Sequence, residues 1–226
     1  MPEHVDVQLF GNDLRLLGSR GVYWHLERIL FVADLHLGKE ATFRRAGIPV
    51  PRGTSVGTLS IVSEMLRATN AQRLIILGDL FHSRSSLSND VTESMESFLN
   101  EHSHRSISLV RGNHDATVGR LPTNWSIDVL NPGERVREIV LAHHPAPCPV
   151  DADLLVCGHL HPSIRVGQGE SSLGSHPCYW LSKQTLVLPA VGRFTGTHRI
   201  RPRHHDQAWM VAENEVFPCP LDVSFT

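Results

Sequence analysis

Residues 29–39 read ILFVADLHLGK, an apolar run with the length and composition of a buried strand, broken by Asp34, His36 and Lys39. What needs a carboxylate and an imidazole at the end of a core strand becomes clear when the other apolar runs are set beside it. LIILGDLFH (74–82) ends in Gly78-Asp79, ISLVRGNHD (107–115) in Gly112-Asn113-His114-Asp115, IVLAHHP (139–145) in His143-His144, and LLVCGHLH (154–161) in Gly158-His159-Leu160-His161. Five core strands thus deliver metal-type ligands. In an open sheet the loops at the carboxyl ends of the strands form the ligand crevice, so groups far apart in sequence can converge there. Alternation along an extended segment predicts that Asp34 and His36 face one site, as do His159 and His161. Gly78, Gly112 and Gly158 permit tight turns and close backbone approach.

Outward from these runs, VDVQLF, LRLLG, GVYWHLE and ILFVADL follow one another with short turns, a hairpin-rich start. Two helices are predicted. The first covers 54–70, with Val56, Leu59, Val62, Met65 and Leu66 at helical spacing; the second covers roughly 88–102, capped at Ser88 or Asn89, with Val91, Met95, Phe98 and Leu99 on one face. Strands are expected again at 139–145, 153–161, 185–191 and 208–218, with loops between them, including exposed loops at 167–177 and 199–207. An α/β first half and a β-rich second half give two packed sheets with helices outside.

The chain has 226 residues, which suits one domain over 1–226, and its formal charge of -2 excludes a global basic field. Contact with nucleic acid would come from local patches such as Arg44, Arg45 and Arg52 or HRIRPRHH at 198–205. No stretch approaches the roughly 18 apolar residues of a membrane span, and the N-terminus MPEHVDVQLFGND has neither a basic nor an apolar leader region, so a cytoplasmic location is expected. Cys148, Cys157, Cys178 and Cys219 form no C-x-x-C pair and read as small buried thiols.

A mixture of carboxylate, imidazole and amide ligands suits a pair of divalent cations about 3.5 to 4 Å apart, held by a bridging carboxylate and by neutral ligands that do not cancel their Lewis acidity. Asp79 is the expected bridge. Water held between two such cations loses a proton near neutral pH and becomes an in-line nucleophile on phosphorus, while a free imidazole stabilises charge or protonates the leaving oxygen, the role expected of His114. Each motif alone is also what a capped turn or a surface pair looks like. All five in order, each at a strand end, are not.

In that order the motifs D-x-H, G-D, G-N-H-D, H and G-H-x-H resemble those of the calcineurin-like metallophosphoesterases. The resemblance implies an αββα sandwich of two mixed sheets flanked by helices. It implies that Asp34, His36, Asp79 and His161 hold one metal and Asp79, Asn113, His143 and His159 the other, with His114 beside the substrate phosphate. His143 is chosen over His144 because His143-His144-Pro145 resembles the family's H-x-P. His82 and Asp115, close after ligands, are placed to orient them. A nearer likeness lies in DLHLGKEATFRRAGIPVPRGT (34–54), GDLFHSR (78–84), GHLHP (158–162) and LPAVGRFTGT (188–197), which are similar to the ligase-associated DNA damage response endonucleases of bacteria, the PdeM type. That similarity implies a manganese-dependent DNA phosphodiesterase working in repair alongside a DNA ligase and helicase. The chain departs from the pattern at LPAVGRFTGT, where a second aromatic and a double glycine are expected, and in its histidine-rich 198–205 stretch.

Arg44 and Arg45 follow the first metal loop and are candidates to clamp phosphates flanking the scissile bond; the alternative is an exposed helix end with solvated arginines. Lys39 is read as a solvated surface residue. The ligand set itself also suits iron or zinc and does not select a polymer, so a phosphatase or phosphodiesterase acting on nucleotides stands as the second reading. A non-catalytic scaffold for protein binding is the third, and it would need a degraded ligand set, which this is not.

Overall fold

The computed structural model describes residues 3–45, 47, 49–50, 53–166, 174–193 and 195–219. Ile48, Pro51, Arg52, most of the 167–177 stretch and Phe194, all part of the reading above, lie outside the described residues, as does the side chain of Arg45.

The first sheet contains β1 (His4–Leu9), β2 (Asn12–Leu17), β3 (Val22–Trp24), β4 (Ile29–Val32), β5 (Arg73–Ile76), β6 (Ser106–Val110) and β7 (Asp128–Leu130), in that spatial order. β1 to β4 form the antiparallel meander that the short turns predict, and β4 to β7 are parallel. Parallel neighbours need crossovers, supplied by α1 (Lys39–Arg45) with α2 (Thr54–Thr69), by α3 (Asn89–Glu101), and after β6 by the short α4 (Asn113–Val118). The second sheet runs from β8 (Arg135–Val136) through β9 (Ile139–Leu141), β10 (Leu154–Cys157) and β13 (Thr185–Val187) to the long β12 (Gly174–Ser182), then β11 (Pro162–Val166) and β14 (His198–Arg199). β15 (Gln207–Ala212) and β16 (Glu215–Cys219) extend it from β12.

Side-chain alternation sorts the layers. On β4, Ile29 and Phe31 join Ile75, Val110, Ile139, Leu141, Leu154 and Val156 in the core between the sheets, whereas Leu30 and Val32 join Leu74, Ile76 and Leu109 under α2 and α3. Being covered on both faces is why these strands read as continuous apolar runs. The outer face of the second sheet carries only small clusters of strand and loop residues, such as Val140, Leu155, Cys157 and Val187, so among the described residues only the first sheet carries a helical layer, one fewer than the expected αββα sandwich has.

Several expectations are corrected in detail. Val56 is 53% exposed, because the inward face of α2 is set by Ser55, Leu59, Val62 and Leu66. Ser55 takes the place given to Val56 since its hydroxyl bonds the Glu40 carboxylate at 2.7 Å and accepts the Gly38 N–H at 2.9 Å. Residues 208–218 are a hairpin, not one strand, turned by Glu213 and Asn214 at φ 50 and 66. The 167–177 stretch, expected as an exposed loop, ends inside β12, which continues to Ser182.

Candidate metal centre

β4, β5 and β6 are parallel neighbours in one sheet, and β9 and β10 in the other, so the motif-bearing segments leave adjacent strand ends. Backbone bonds stitch the segments together: the Asp34 N–H donates to the Gly78 carbonyl at 3.1 Å, the His36 N–H to that of Asp79 at 2.9 Å, and the Gly158 N–H to that of His143 at 3.1 Å. Across the sheets, the His159 N–H donates to Asp34 Oδ2 at 2.9 Å.

Asp34 and His36 do face one site, but not by strand alternation. Asp34, His36, Asp79, His159 and His161 all have left-handed backbones, with φ of 55, 46, 52, 71 and 47, so the chain leaves its strands by tight reversals that aim the side chains inward. Such a conformation costs a non-glycine residue about 1–2 kcal/mol, and persists where the surroundings over-determine it. Here the glycines allow that crowding. A Cβ on Gly78 would meet His143 Nδ1 at 2.2 Å, one on Gly112 Asp79 Oδ1 at 2.3 Å, and one on Gly158 Asp34 Oδ2 at 2.6 Å.

Two pairs of imidazole nitrogens face each other: His36 Nε2 and His161 Nε2 at 3.3 Å, and His143 Nε2 and His159 Nδ1 at 3.2 Å. Two nitrogens each about 2.1 Å from one ion, at tetrahedral or octahedral angles, are about 3.0–3.4 Å apart. Asp79 lies between the pairs, with Oδ2 3.7 Å from His36 Nε2 and Oδ1 3.5 Å from His143 Nε2. Asn113 Oδ1 is 3.0 Å from His143 Nε2, and Asp34 Oδ1, buried without a hydrogen bond, is 3.4 Å from His161 Nε2. Donor atoms of Asp34, His36 and His161, and again of Asp34, Asp79 and His143, lie within 4.8 Å of one another. This donor set could hold two divalent ions, one between Asp34, His36, Asp79 and His161 and the other between Asp79, Asn113, His143 and His159.

Ring orientation agrees with ligation. His143 Nδ1 donates to the Leu77 carbonyl at 2.9 Å, which leaves the Nε2 lone pair for the site. Burial, then the neighbouring His161, pushes the His36 pKa down to about 2, and burial also lowers that of His159, which favours the neutral form that a metal ligand needs. Burial, the largest single influence, would lower His161 as well, but the attraction of the Asp34 carboxylate and the nearby Thr195 backbone together raise it. His144 is exposed and packs on the His159 ring at 4.2 Å, while His143 is fully buried.

His114 Nδ1 donates to the His82 carbonyl at 2.6 Å, which turns Nε2 toward Asp79 Oδ2 at 3.9 Å with 35% of the side chain exposed. The His82 ring stacks on it at 5.0 Å. Asp115 accepts the N–H groups of Phe81 at 3.2 Å and Gly112 at 3.0 Å, tying the loop after Asp79 to the loop before Asn113.

Residues 27–134 match the family model for calcineurin-like phosphoesterases. The chain superimposes on the crystal structure of the Pseudomonas putida nuclease MPE with a TM-score of 0.83 at 29% identity, over 96% of this chain and 100% of that one. The chain has the calcineurin-like phosphoesterase fold, and the match and the likeness together make it a metal-dependent phosphoester hydrolase. A phosphoesterase from E. coli, Yfce, is 20% identical over 82% of this chain and 88% of its own with a TM-score of 0.41, too low to add to the argument. No curated protein sequence matches.

In this phosphoesterase Arg44 lines a small cavity with Glu40, Ser88, Asp90 and Ser94, among α1, α2 and α3, and not with the ligands. Lys39, expected to be solvated, is half-buried and close enough to act on the centre. Its charge bears on His36, His82 and His161, and burial lowers its own pKa. Its place in the sequence, one helical turn after His36, is the only signal that could have marked it. HRIRPRHH contributes β14 and the buried Ile200, its remaining side chains lying outward or half-buried. No helix among the described residues is long and apolar enough to cross a membrane.

Proposed function

We propose that the chain is a dinuclear, manganese-dependent phosphodiesterase that cuts DNA. The observation that carries the dinuclear reading is the carboxylate of Asp79 between two imidazole pairs at 3.3 and 3.2 Å. Two bound divalent ions supply Lewis acidity toward the phosphoryl oxygens and make a water nucleophilic at neutral pH. The chain's own groups do the rest. Asp34, His36, His143, His159, His161 and Asn113 hold the ions without neutralising them. His114, oriented through the His82 carbonyl, holds a proton at Nε2 where the leaving oxygen departs. Asp115 and His82 keep the Asp79 and Asn113 loops in register. The likeness to a nuclease over nearly the whole chain supports a nucleic-acid phosphodiester as substrate. Manganese and a repair role beside a DNA ligase and helicase rest on the motif resemblance.

The test is nicking of supercoiled plasmid by the purified protein with manganese, beside Asp79→Asn and His114→Ala. Nicking by the wild type and its loss in both folded variants is the expected result. Hydrolysis of nucleotides or a generic phosphodiester without nicking would move the substrate to small phosphoesters, and undiminished nicking by Asp79→Asn would overturn the site.

A further inference from the structure

Lys39 opens α1 behind the left-handed Gly38, at φ 77, so its side chain turns back toward the strand ends that carry the ligands. The adjacent carboxylate is committed elsewhere: Glu40 Oε1 accepts both the N–H and the hydroxyl of Ser55, at 3.2 and 2.7 Å. The partners of Lys39 among the described residues are the Thr195 carbonyl, 3.3 Å from Nζ, and the face of Phe43, 5.8 Å from Nζ to the ring centroid. Neither offsets a full charge. A half-buried ammonium normally has a carboxylate or water as partner, and this one retains donors for an anion.

Its position says which anion. Lys39 Nζ bonds the Thr195 carbonyl at 3.3 Å, while its charge is felt at His36, His82 and His161. Lys39 therefore stands at the rim of the cluster of imidazoles and carboxylates and is not one of its bonded members. An anion held there is set apart from the phosphorus that reacts at the ligands. That suits the next phosphate of a polynucleotide strand and not the scissile one.

Resting on the phosphodiesterase reading, we propose that Lys39 binds the phosphate flanking the scissile bond and so selects a polynucleotide over a single phosphodiester. The contact replaces the one to the Thr195 carbonyl and needs no backbone movement. Arg44, in its separate cavity, does not take this role.

The experiment compares the manganese-loaded wild type with Lys39→Met, Lys39→Gln and Lys39→Arg on a single-stranded DNA oligonucleotide and on bis(p-nitrophenyl) phosphate, which has no second phosphate. For Lys39→Met the oligonucleotide KM is expected to rise about tenfold to a hundredfold with a much smaller change in kcat, as loss of one charge-assisted contact predicts. The loss on bis(p-nitrophenyl) phosphate should be several-fold smaller, and Lys39→Arg should recover most of the oligonucleotide KM. The slope of log affinity against log salt, from fluorescence anisotropy of labelled oligonucleotide, should become shallower by about 0.7. A purely structural lysine would not move that slope, and Lys39→Gln repeats the test if the methionine variant does not fold. Equal losses on both substrates, or an unchanged salt slope, would overturn the role of Lys39. If the wild type cleaves bis(p-nitrophenyl) phosphate but no oligonucleotide, the DNA reading fails with it, a different outcome from a failure confined to the variants.

Discussion

Replacing Gly78 by alanine should disturb the centre without touching a ligand. Gly78 has φ 85, and a Cβ there would meet His143 Nδ1 at 2.2 Å, Cγ at 2.5 Å and Cβ at 2.9 Å. The backbone conformation alone costs alanine about 1–2 kcal/mol. Relieving the clash means moving His143, which is fully buried and hydrogen-bonded to the Leu77 carbonyl at 2.9 Å, so overpacking and the weakened bond bring the total to about 3–5 kcal/mol. Gly133 is the control. It has φ 94 with nothing within 4 Å of a Cβ, so Gly133→Ala carries only the conformational cost of about 1–2 kcal/mol. At about 2–4 °C per kcal/mol for a chain of this size, the metal-free protein should lose roughly 6–20 °C in Tm at position 78 against roughly 2–8 °C at position 133. In calorimetric titration with manganese, only Gly78→Ala should weaken one of two sites, by about ten- to a hundredfold, because a ligand has been displaced. Equal Tm losses together with two undisturbed sites would refute the argument that glycine is needed to pack the backbone against His143.

Three further outcomes follow from the same geometry. Asp115→Ala removes the acceptor of two loop amides, at 3.2 and 3.0 Å, and should cost about 2–4 kcal/mol in urea unfolding; Asp115→Asn, which keeps one acceptor oxygen, should cost less, and equal costs would contradict the capping role. Stripping the metals with a chelator should lower Tm, since ions at a hundredfold over their Kd contribute about 2.7 kcal/mol per site, roughly 10–20 °C for two sites; an unchanged Tm on adding manganese back would count against the centre. Away from the centre, His102 is buried with Nε2 2.8 Å from Ser63 Oγ, and burial, opposed in part by Glu101, lowers its pKa from 6.5. The folded state then binds fewer protons than the unfolded one, so the contribution of His102 to stability is present above about pH 6.5 and lost as pH falls below it. His102→Asn should flatten the acid limb of a stability-against-pH curve measured on the metal-free protein, and a curve parallel to the wild type would exclude that contribution.

What the sequence made legible was whatever a buried strand or an amphipathic helix writes in apolar spacing. Residues 29–32 and 74–77 are covered on both faces and so spell continuous apolar runs, 107–110 does so but for the buried Ser108, and α3 lies within a residue of its expected limits because Val91, Met95, Phe98 and Leu99 all point inward. Short elements left no such trace. In α1, KEATFRR has too few apolar residues for a pattern, and α4, NHDATV, is occupied by the very groups that identify the site. The turn in β15–β16 escaped because Glu213, at φ 50, is a residue type that gives no warning of a left-handed backbone. At the centre, residue types and order were readable, but conformation was not: the ligands of the first and last motifs face inward through left-handed turns, not through the alternation of a strand. Lys39 reads as a solvated residue for a similar reason, since nothing in the letters says that the Glu40 carboxylate is engaged by Ser55 and leaves the lysine without a counter-charge.

Those left-handed turns bear on how the centre forms. Five of the proposed ligand residues hold an unfavourable backbone conformation, and the bonds that hold them there run from segment to segment: Asp34 to Gly78, His36 to Asp79, Gly192 to Asp34, His159 to the Asp34 carboxylate. These bonds use no imidazole nitrogen, and Asp34, which accepts through Oδ2, keeps Oδ1 without a hydrogen bond. The fold itself therefore sets the ligand positions, with the imidazole pairs already at about the spacing that one ion requires. Ions entering such a frame find little ordering left to do, and their binding energy can be spent on polarising a phosphate. The same rigidity explains why glycine recurs at 78, 112 and 158: a frame that pre-sets its ligands has no room for a Cβ against them.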